Sequence, residues 1–443
     1  MADYYHSVTL DAEKCKGCTN CIKRCPTEAI RVRDGRAWIF EERCIDCGEC
    51  IRVCPNHAKL AVTDSLDLVK AYPKSVIIPA PAFMGQFPTP DPGVVLSALR
   101  LIGFDEVYEV ALAADAVSMA MRRYLKEHSS PRPLISSACP AVVRLIQVRF
   151  PALLDHLIKL ESPMEMAAKI AKDTLGPEHG VFFVSPCPAK VTAIKQPVGR
   201  DKSAVDGAFS MSAIYAECLR QMEHAARAPL IPKASGYGMG WGRSGGETTI
   251  MGRDSLAVDG IHQCIKVFEE VERDKLAGLD FIEAQACVTG CVGGCLAVEN
   301  PFVARVRVRN LAAERGAHGE EATPGLEQRL KSDYFTYLSE VKARPVLRLD
   351  DDISRAIDKL RQLEAVEDQL PGLDCGACGA PSCRALAEDI VRGYADEMDC
   401  VLKLRERVHG MAEEIVDLAR HLPRSMGMKS HTQQSEDDDG EAG

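Results

Sequence analysis

The sequence predicts an α/β fold with a core of parallel β-sheet, preceded by a small α+β domain and followed by a small α-helical domain. Between residues 74 and 340, short apolar runs alternate with helical stretches, a pattern typical of βα units. Two closely spaced cysteine runs lie before residue 55, and a third cysteine group follows Pro371. We therefore expect four regions, at 1–66, 67–340, 341–400 and 401–443.

The composition bounds the class of protein. The 443 residues carry a formal net charge of −10, which argues against nucleic acid or an anionic membrane as the main partner. The N-terminus lacks a basic-then-apolar leader, and no uncharged apolar run approaches the roughly 18 residues of a membrane helix. The 19 cysteines suit metal ligation in a reducing compartment. The sequence thus predicts a cytoplasmic protein.

The N-terminal region repeats one cysteine pattern, as CKGCTNCIKRCP and CIDCGECIRVCP. The spacing C-x-x-C-x-x-C-x-x-x-C-P is the bacterial ferredoxin pattern, in which the fourth cysteine ligates the other of two 4Fe–4S clusters. Zinc or unligated thiols are the alternatives, and the doubled spacing disfavours both. We expect a two-cluster ferredoxin-like domain with these ligands: Cys15, Cys18, Cys21 and Cys54 for the first cluster, and Cys44, Cys47, Cys50 and Cys25 for the second.

Charges differ between the two runs. Net charge tunes reduction potential, so basic residues around the first run predict that its cluster is the easier one to reduce. The alternative is that these are solvated surface charges, weakened by screening. The residues concerned are Lys14, Lys16, Lys23 and Arg24 at the first run, and Asp46 and Glu49 in the second.

The central region predicts strands that lead into loops carrying proline or cysteine. In open α/β sheets, ligands bind beyond the carboxyl ends of the strands. A Gly-rich segment, Gly236–Glu247, lacks the spacing and the basic residue of a P-loop, so we expect it to pack closely on a ligand or on backbone. The predicted strands are Val76–Ile78, Val107–Val110, Leu134–Ile135 and Val181–Val184, and the predicted helices include Val94–Ile102, Ala141–Phe150 and Glu165–Ala171.

Cysteines in these loops resemble a known arrangement: Cys139 in SSACPAV, Cys187 in SPCPAK, and Cys287 with Cys291 in EAQACVTGC. Residues 75 to 315 resemble the active-site domain of iron-only (FeFe) hydrogenases, which carries T-S-C-x-P, M-P-C-x-x-K and E-x-M-A-C-x-x-G-C in this order. The resemblance implies a two-lobed parallel-sheet core and an H-cluster, a 4Fe–4S subcluster joined to a diiron unit.

The resemblance also implies residue roles. All four central cysteines would ligate the cubane, and Cys291 would also bridge to the diiron unit. Lys190 matches the signature lysine that hydrogen-bonds a cyanide ligand, and Glu283 matches the signature glutamate. Four soft thiolates suit an iron–sulfur cube, and an ammonium beside an anionic ligand forms a strong hydrogen bond in a dry site.

Three positions depart from the family pattern. Ala138 stands where catalytic members have the cysteine that relays protons, Ser185 replaces the methionine of M-P-C, and Gln285 replaces that of M-A-C. Loss of the relay should slow proton transfer, to which general acid–base groups contribute on the order of 10²–10⁴-fold. These changes resemble the sensory-type branch of the family, so we expect low turnover and hydrogen sensing under anaerobic conditions.

Three further cysteines lie in the central region. Cys295, in CVGGCL, is either a substitute proton donor or a packed core cysteine, and residue type alone favours the core. Cys218 and Cys264 lie in helical stretches and are expected in the core.

Two other functions remain open at this stage. The chain could be an electron-transfer scaffold that keeps the cubane but lacks the diiron unit, as in hydrogenase-like proteins of iron–sulfur assembly; Lys190 argues against this. It could also be a regulatory protein whose clusters sense redox state. The expected partners are dihydrogen and protons, a ferredoxin-like or other redox protein, and a signalling protein.

The C-terminal region predicts a helix with Ile353, Ile357, Leu360 and Leu363 on one face, ending before Pro371. The pattern C-x-x-C-x4-C-x16-C that follows resembles a four-cysteine 4Fe–4S domain, with zinc as the alternative. Its cysteines are Cys375, Cys378, Cys383 and Cys400.

A last helix is predicted from about Val401, with apolar residues at alternating steps of three and four. This seam suits a homodimer or a signalling helix, while a helix packed on its own domain is the alternative. The acidic tail SEDDDGEAG is expected to be disordered. The seam residues are Val401, Leu404, Val408, Met411, Ile415, Leu418 and Leu422.

Overall fold

A computed structural model describes residues 4–88, 91–128, 130–252, 254–316 and 325–421. It divides into two compact units, Met1–Arg348 and Leu349–Gly443. The first unit contains both the N-terminal cysteine runs and the α/β core. The finer boundaries at residues 66 and 400 stay predictions.

The N-terminal region combines two antiparallel strand pairs with two short helices. Strand β1 pairs with β4, and β2 pairs with β3. Each helix lies within one of the cysteine runs. The elements are β1 (Val8–Leu10), α1 (Asn20–Lys23), β2 (Ile30–Arg33), β3 (Arg36–Ile39), α2 (Glu49–Arg52) and β4 (Lys59–Ala61).

Two wholly parallel sheets form the core of the first unit, which confirms the predicted parallel α/β fold. One sheet has the order β6-β5-β8-β9 and the other β10-β11-β7. Strands β5 and β8 are buried on both faces, as parallel strands covered by helices usually are. The strands are β5 (Lys74–Pro79), β6 (Glu106–Val107), β7 (Leu134–Ile135), β8 (His179–Ser185), β9 (Gly207–Ser210), β10 (Ser255–Asp259) and β11 (Phe281–Gln285).

Helices connect these strands, and several begin with proline. Proline suits the first helical position because its missing N–H has no intrahelical partner there. The predicted helices correspond to α4, α6 and α7. The helices of the first unit after residue 80 are α3 (Pro81–Met84), α4 (Pro92–Leu101), α5 (Val110–Glu127), α6 (Pro140–Arg149), α7 (Pro163–Leu175), α8 (Pro188–Lys195), α9 (Met211–Ala225), α10 (Gly236–Gly240), α11 (Thr248–Met251), α12 (Ile261–Glu272), α13 (Pro301–Arg315) and α14 (Leu326–Leu330).

Two predictions at this level need correction. The strand expected at Val107–Val110 ends at Val107, and Val110 instead begins the 18-residue helix α5. The Gly-rich segment is not wholly a loop, because Ser235 accepts hydrogen bonds from two backbone N–H groups and starts the short helix α10. The expected close packing on backbone is present. A Cβ on Gly238 would lie 2.0 Å from the carbonyl oxygen of Ala111.

The second unit is small and helical. It contains α15 (Ile353–Gln369), α16 (Cys383–Val391) and α17 (Val401–Arg420). Helix α15 ends two residues before Pro371, close to the predicted end. Leu422 and the acidic tail lie outside the described residues. Across the ranges that the structure covers, every helix is too short or too polar to span a lipid bilayer.

Candidate functional site

The four central cysteines follow the carboxyl ends of three parallel strands. Cys139 follows β7 and caps the N-terminus of α6, and Cys187 follows β8 and caps α8. Cys287 and Cys291 lie in the loop after β11. Strands β7 and β11 are neighbours in one parallel sheet, so their loops leave the same edge, whereas β8 belongs to the other sheet. We call these four residues the central quartet.

Electrostatics show that the quartet's thiols are neighbours. Burial raises the pKa of Cys187 to about 11, and the charges of Cys291 and Cys139 add to the rise. Burial likewise raises the pKa of Cys287 and of Cys291, and each feels the charge of Cys139. Free thiols resist ionisation in such a place, so the quartet is suited to a cationic metal core that binds thiolates.

A cavity adjoins the quartet. The centres of water-sized atoms can occupy about 50 Å³ of it, against the roughly 10–15 Å³ that one water requires. Its wall is largely apolar and carries a few convergent polar groups, as ligand sites typically do. The lining residues are Ala80, Pro81, Val110, Ala138, Cys139, Ser162, Pro163, Met164, Phe183, Lys190, Trp241, Gly242, Glu247, Gln285 and Cys291.

Lys190 is the cation of this cavity. Its side chain is buried, and Nζ lies 3.6 Å from Sγ of Cys291. Burial alone would lower the pKa of Lys190, but the nearby thiolates, Cys291 foremost, raise it above its ordinary value. The side chain therefore stays an ammonium that can donate to an anionic group in the cavity.

The three departures from the family pattern lie where the sequence places them, around the same loops. Ala138 lines the cavity with a methyl group. Ser185 is fully buried, and its hydroxyl donates to the carbonyl oxygen of Cys187 at 2.8 Å. Gln285 lines the cavity and its Oε1 has no hydrogen-bond partner within the described ranges. The wall thus has a polar amide where the family has a thioether, and no thiol at residue 138.

Glu247 is a cavity residue that the sequence analysis did not single out. It is 1% exposed, and Oγ of Ser136 donates to its Oε2 at 2.5 Å. The amide of Gln285 is a second hydrogen-bond partner. Burial, and then the charge of Glu283, raise the pKa of Glu247 to about 8. The only sequence signal was a carboxylate that ends a Gly-rich segment, and no spacing rule marks it.

Glu283 lies behind the cavity wall and not in it. Its carboxylate is fully buried and accepts hydrogen bonds from the backbone N–H groups of Gly245 and Thr248, both at 2.9 Å. Burial raises its pKa. The geometry gives Glu283 a positioning role, because it holds the segment that carries Glu247.

Cys295 also lies outside the residues that line the cavity. It faces the second N-terminal cysteine run, where a Cβ on Gly48 would lie 2.5 Å from its Sγ. Its charge acts on Cys50 of that run and on Cys287 of the central quartet. Nearby, Arg52 donates to the carbonyl oxygen of Gly293 at 2.9 Å. The junction between the two cysteine regions is therefore tight. Cys218 and Cys264 are fully buried, as expected of core cysteines.

The N-terminal cysteines form two groups that cross between the runs. One small cavity is lined by three cysteines of the first run and by Cys54 of the second. Cys44, Cys47 and Cys50 interact with one another and with Cys25 of the first run. This is the exchange that the ferredoxin pattern predicts. We call Cys15, Cys18, Cys21 and Cys54 the first quartet, and Cys25, Cys44, Cys47 and Cys50 the second quartet.

The C-terminal cysteines are partly gathered. Cys378, Cys383 and Cys400 pack in one small core, whereas Cys375 is exposed. Gly376 and Gly379 both have positive φ, at 77° and 81°, a conformation that suits glycine in a tight turn.

The residues present fit iron–sulfur groups. All nineteen thiols are free of disulfides. Backbone N–H groups point at sulfur in the N-terminal region: Ala37 at Cys15 (3.3 Å), Ala29 at Cys25 (3.2 Å) and Ala58 at Cys54 (3.3 Å). Hydrogen bonds to sulfur are one way in which proteins tune such clusters.

Family comparisons agree with this chemistry. Residues 73–255 match the model of the iron only hydrogenase large subunit, C-terminal domain. Residues 7–55 match a 4Fe-4S dicluster domain, and residues 370–402 match a model for an Fe-S cluster.

Individual relatives are more distant. Iron hydrogenase 1 of Clostridium pasteurianum is 30% identical over 287 residues, covering 54% of this chain and 50% of its own. The cytosolic Fe-S cluster assembly factor nar1 of Aspergillus terreus is 40% identical over 73 residues, covering 16% of this chain and 12% of its own. The chain spans about half or less of the length of the curated relatives it matches. A solved variant of FeFe-hydrogenase HydA1 from Chlamydomonas reinhardtii has a TM-score of 0.47 at 16% identity, covering 61% of this chain and 95% of its own.

Proposed function

We propose that this iron-only hydrogenase-like iron–sulfur protein reacts with dihydrogen at the central quartet, slowly, and serves as a hydrogen sensor. The observation that carries the proposal is a cavity beside the central quartet, lined by Cys139, Cys291 and a buried ammonium, Lys190. An ordinary electron-transfer cubane needs the thiols but not the cavity or the lysine.

The central quartet would hold the cubane of an H-cluster, and Cys291 would be the link to its diiron unit. When bound, the diiron unit supplies an open iron position for dihydrogen and an amine base. The chain's own part is to exclude water, to bind anionic ligands and to move protons and electrons. The apolar wall excludes water, which strengthens every charge interaction inside.

Lys190 and Glu247 would have different roles in the cavity, hydrogen-bond donation and proton transfer respectively. Nζ of Lys190, beside Cys291, would donate to an anionic ligand and fix its orientation. Glu247 is the carboxyl group on the wall, and Oε2 would hold a proton near neutral pH and exchange it with Ser136. Because Ala138 offers no thiol, this carboxyl has no sulfur relay in front of it. Slow proton delivery supports low turnover.

Electrons would leave through the junction at Cys295. Gly48 of the second run approaches Cys295. Gly48 is next to Cys47 of the second quartet, and Cys295 follows Cys291 of the central quartet by four residues. The second quartet would therefore receive electrons from the central site, and the first quartet would follow. Cys295 is proposed as part of this path and not as a proton donor, since it faces away from the cavity lining.

Infrared spectroscopy of anaerobic protein, matured with the hydrogenase assembly factors, tests the proposal. We expect bands of iron-bound carbonyl and cyanide, together with slow exchange between dihydrogen and deuterium. Cys291→Ala should lose the bands and keep the iron of the three other clusters. The matched control is Cys264→Ala, which removes a buried thiol that we do not assign as a ligand.

A second candidate is an electron-transfer or redox-sensing scaffold without the diiron unit. Ala138 and the short match to a cluster assembly factor favour it. Iron analysis separates the two functions. Fully matured protein with the iron of four cubanes but no carbonyl or cyanide bands would exclude the sensor and support the scaffold.

The remaining assignments belong to the same proposal. The cofactors are three 4Fe–4S clusters, at the first, second and C-terminal quartets, and one H-cluster. The partners are dihydrogen, protons, a ferredoxin-like redox protein and a signalling protein. A cytoplasmic location is supported by the nineteen cysteines, none of which forms a disulfide.

A further inference from the structure

A buried lysine lies in the cavity of the first quartet. Lys59, the first residue of β4, is 2% exposed. Its side chain lines the small cavity that the first quartet surrounds. Its Nζ has no hydrogen-bond partner among the residues that the structure describes. Burying an ammonium without a partner is unfavourable, so this cavity should contain a compensating anion.

Cysteine sulfur atoms lie near enough to Lys59 to compensate its charge. Burial raises the pKa of Cys21 and of Cys50, and the charge of Lys59 opposes both rises. Three backbone N–H groups and the charge of Lys59 lower the pKa of Cys54 against the effect of burial. The lysine thus acts on sulfurs of both quartets and sits in the cavity of the first.

The two halves of the N-terminal repeat differ in this charge. Lys59 follows Cys54 by five residues, as Ile30 follows Cys25. The two segments match in detail: the N–H of Ala58 and of Ala29 point at these cysteine sulfurs, and His57 and Glu28 have the same positive φ of 49°. Ile30 is 3% exposed. One half of the repeat therefore places an apolar side chain where the other places an ammonium.

A buried charge acts on a cluster more strongly than the surface lysines do. A cubane with four thiolates is anionic and gains one more negative charge on reduction. A nearby ammonium stabilises the reduced form more than the oxidised form, and burial protects this effect from screening by salt. Lys14, in contrast, is exposed and paired with Asp11 at 2.8 Å.

We propose that Lys59 donates to the first cluster and makes it the more easily reduced of the two N-terminal clusters, the end point for electrons that enter the domain. This inference needs only the iron–sulfur clusters and holds whether or not the central site carries a diiron unit.

Redox titration of the whole anaerobic protein, followed by electron paramagnetic resonance, tests it. Lys59→Met keeps the length of the side chain and removes the charge, and Lys59→Ile copies the other half of the repeat. In both variants we expect the ratio of reduced to oxidised first cluster at a fixed potential to fall at least tenfold. This fall corresponds to a reduction potential lowered by about 59 mV for a one-electron couple. Cys18→Ser, at an exposed member of the first quartet, identifies the signal of that cluster.

The matched control is Lys16→Met, which removes an exposed cation at the rim of the same cavity. Its effect should be smaller and should vanish at high salt, whereas that of Lys59→Met should persist. Carbonyl and cyanide bands should not change, so this test is separate from that of the proposed function. Unchanged potentials at full iron content, or a shift confined to the second cluster, would overturn the inference.

If the neutral variants lose iron, Lys59→Arg distinguishes a requirement for charge at this position from a requirement for packing. Arginine that restores the iron supports a requirement for charge at this position. Iron loss in Lys59→Arg as well would assign the position to packing and overturn the inference.

Discussion

Under the proposed function, Ala138 limits how fast protons reach the cavity. It contributes only a methyl group to the wall, two residues from Ser136, which is hydrogen-bonded to Glu247. A thiol at this place would face the cavity beside Cys139 and complete a path from the wall to the carboxyl group. The residue is half-buried, so the added sulfur atom does not have to displace a packed core.

We therefore expect Ala138→Cys to raise the rate of dihydrogen oxidation in matured protein by about 10²-fold or more, since general acids and bases supply about 10²–10⁴-fold. The assay is oxidation of dihydrogen with an artificial acceptor. The control is Ser137→Cys, which adds a thiol to the same loop at a side chain that bonds to Leu160 and does not line this cavity. Equal rates in both variants would mean that proton transfer through residue 138 does not limit turnover.

Glu247 gives a pH dependence of stability. Its pKa in the folded chain is raised to about 8 from an ordinary 4.5, chiefly by burial. Between these values the folded state keeps a proton that the unfolded state has lost. Stability from this residue is therefore complete below about pH 4.5 and is lost as the pH rises through about 8, by on the order of 1.4 kcal/mol per unit of difference in pKa.

Glu247→Gln should flatten this dependence. We expect the free energy of unfolding of the wild type to fall between about pH 6 and 8, and that of the variant to fall less. Denaturant titration at constant iron content measures it, with the exposed Glu223→Gln as the control. Parallel curves for wild type and Glu247→Gln would contradict a protonated Glu247.

At the residue scale, the sequence predicts residues that recur at a fixed spacing, and it does not predict residues that only the fold brings into contact. The doubled C-x-x-C pattern predicts eight ligands with Cys25 and Cys54 exchanged, and the structure groups these cysteines in that way. Nothing in that pattern marks Lys59, because its position matters only once β4 places it against the first quartet. Glu247 and Glu283 are far apart in sequence, and only the fold makes them a buried pair.

At the scale of elements, the junction of α2 with the loop after β11 joins the second quartet to the central site. Gly48, at the start of α2, has φ of 78°, and a Cβ there would meet Sγ of Cys295. Gly48→Ala therefore carries two penalties. A left-handed conformation costs an L-residue about 1–2 kcal/mol, and the contact with sulfur adds to it.

A double-mutant cycle separates the backbone penalty from the penalty of the contact with Cys295. Gly48→Ala should lower the free energy of unfolding and slow reduction of the second cluster by the central site. Adding Cys295→Ala should restore the part due to the contact and leave the backbone part, a coupling of about 0.5–3 kcal/mol. Stopped-flow reduction and denaturant titration measure both. Strictly additive losses would show that the two residues do not touch in solution.

Helix α17 presents its apolar seam to solvent. Along the described part of the helix, no residue is buried, and Val408, Ile415 and Leu418 are 56%, 63% and 69% exposed. The alternative of a helix packed on its own domain is therefore not what the structure contains. An antiparallel second copy fits the seam and its charges. If Val408 faces Met411 of the second copy, Arg407 and Glu414 of opposite copies are side by side in two symmetry-related pairs along one edge.

We expect a weak antiparallel homodimer through this helix. Ile415→Glu should give a monomer, and Val416→Glu, at an exposed residue beside the seam, should not. Arg407→Glu should weaken the dimer, and Glu414→Arg in the same chain should restore it. Sedimentation velocity of the whole protein measures each mass. A swap that fails to restore the dimer would contradict the antiparallel arrangement.

Elements were predicted well where the apolar period was long or where proline marked a start, as in α4, α6 and α7. The prediction failed at Val107–Val110, where three apolar or aromatic residues fit a strand as well as a helix. Pairing of Val107 with Ile77 ends there, and the chain turns at Glu109 into α5. Short apolar runs do not distinguish a strand from the start of a buried helix.

At the scale of the whole molecule, the two compact units differ in how much apolar core supports them. Two large clusters of buried side chains stabilise the first unit around its parallel sheets. In the described part of the second unit, the buried cluster has seven residues, of which three are alanines. Such a core is too small to fold a unit of this size alone, so metal ligation should contribute a large share of its stability.

Anaerobic removal of iron should therefore unfold the second unit first. Hydrogen exchange with mass spectrometry should show that α16 loses protection while β5 and β8 keep theirs, because every residue of those strands after Lys74 is buried. Cys400→Ser should lose the same protection without a chelator, and Cys218→Ser, at a core thiol outside the quartets, should not. Protection of α16 that survives complete iron loss would mean either that zinc holds the C-terminal quartet, which metal analysis detects, or that packing alone suffices.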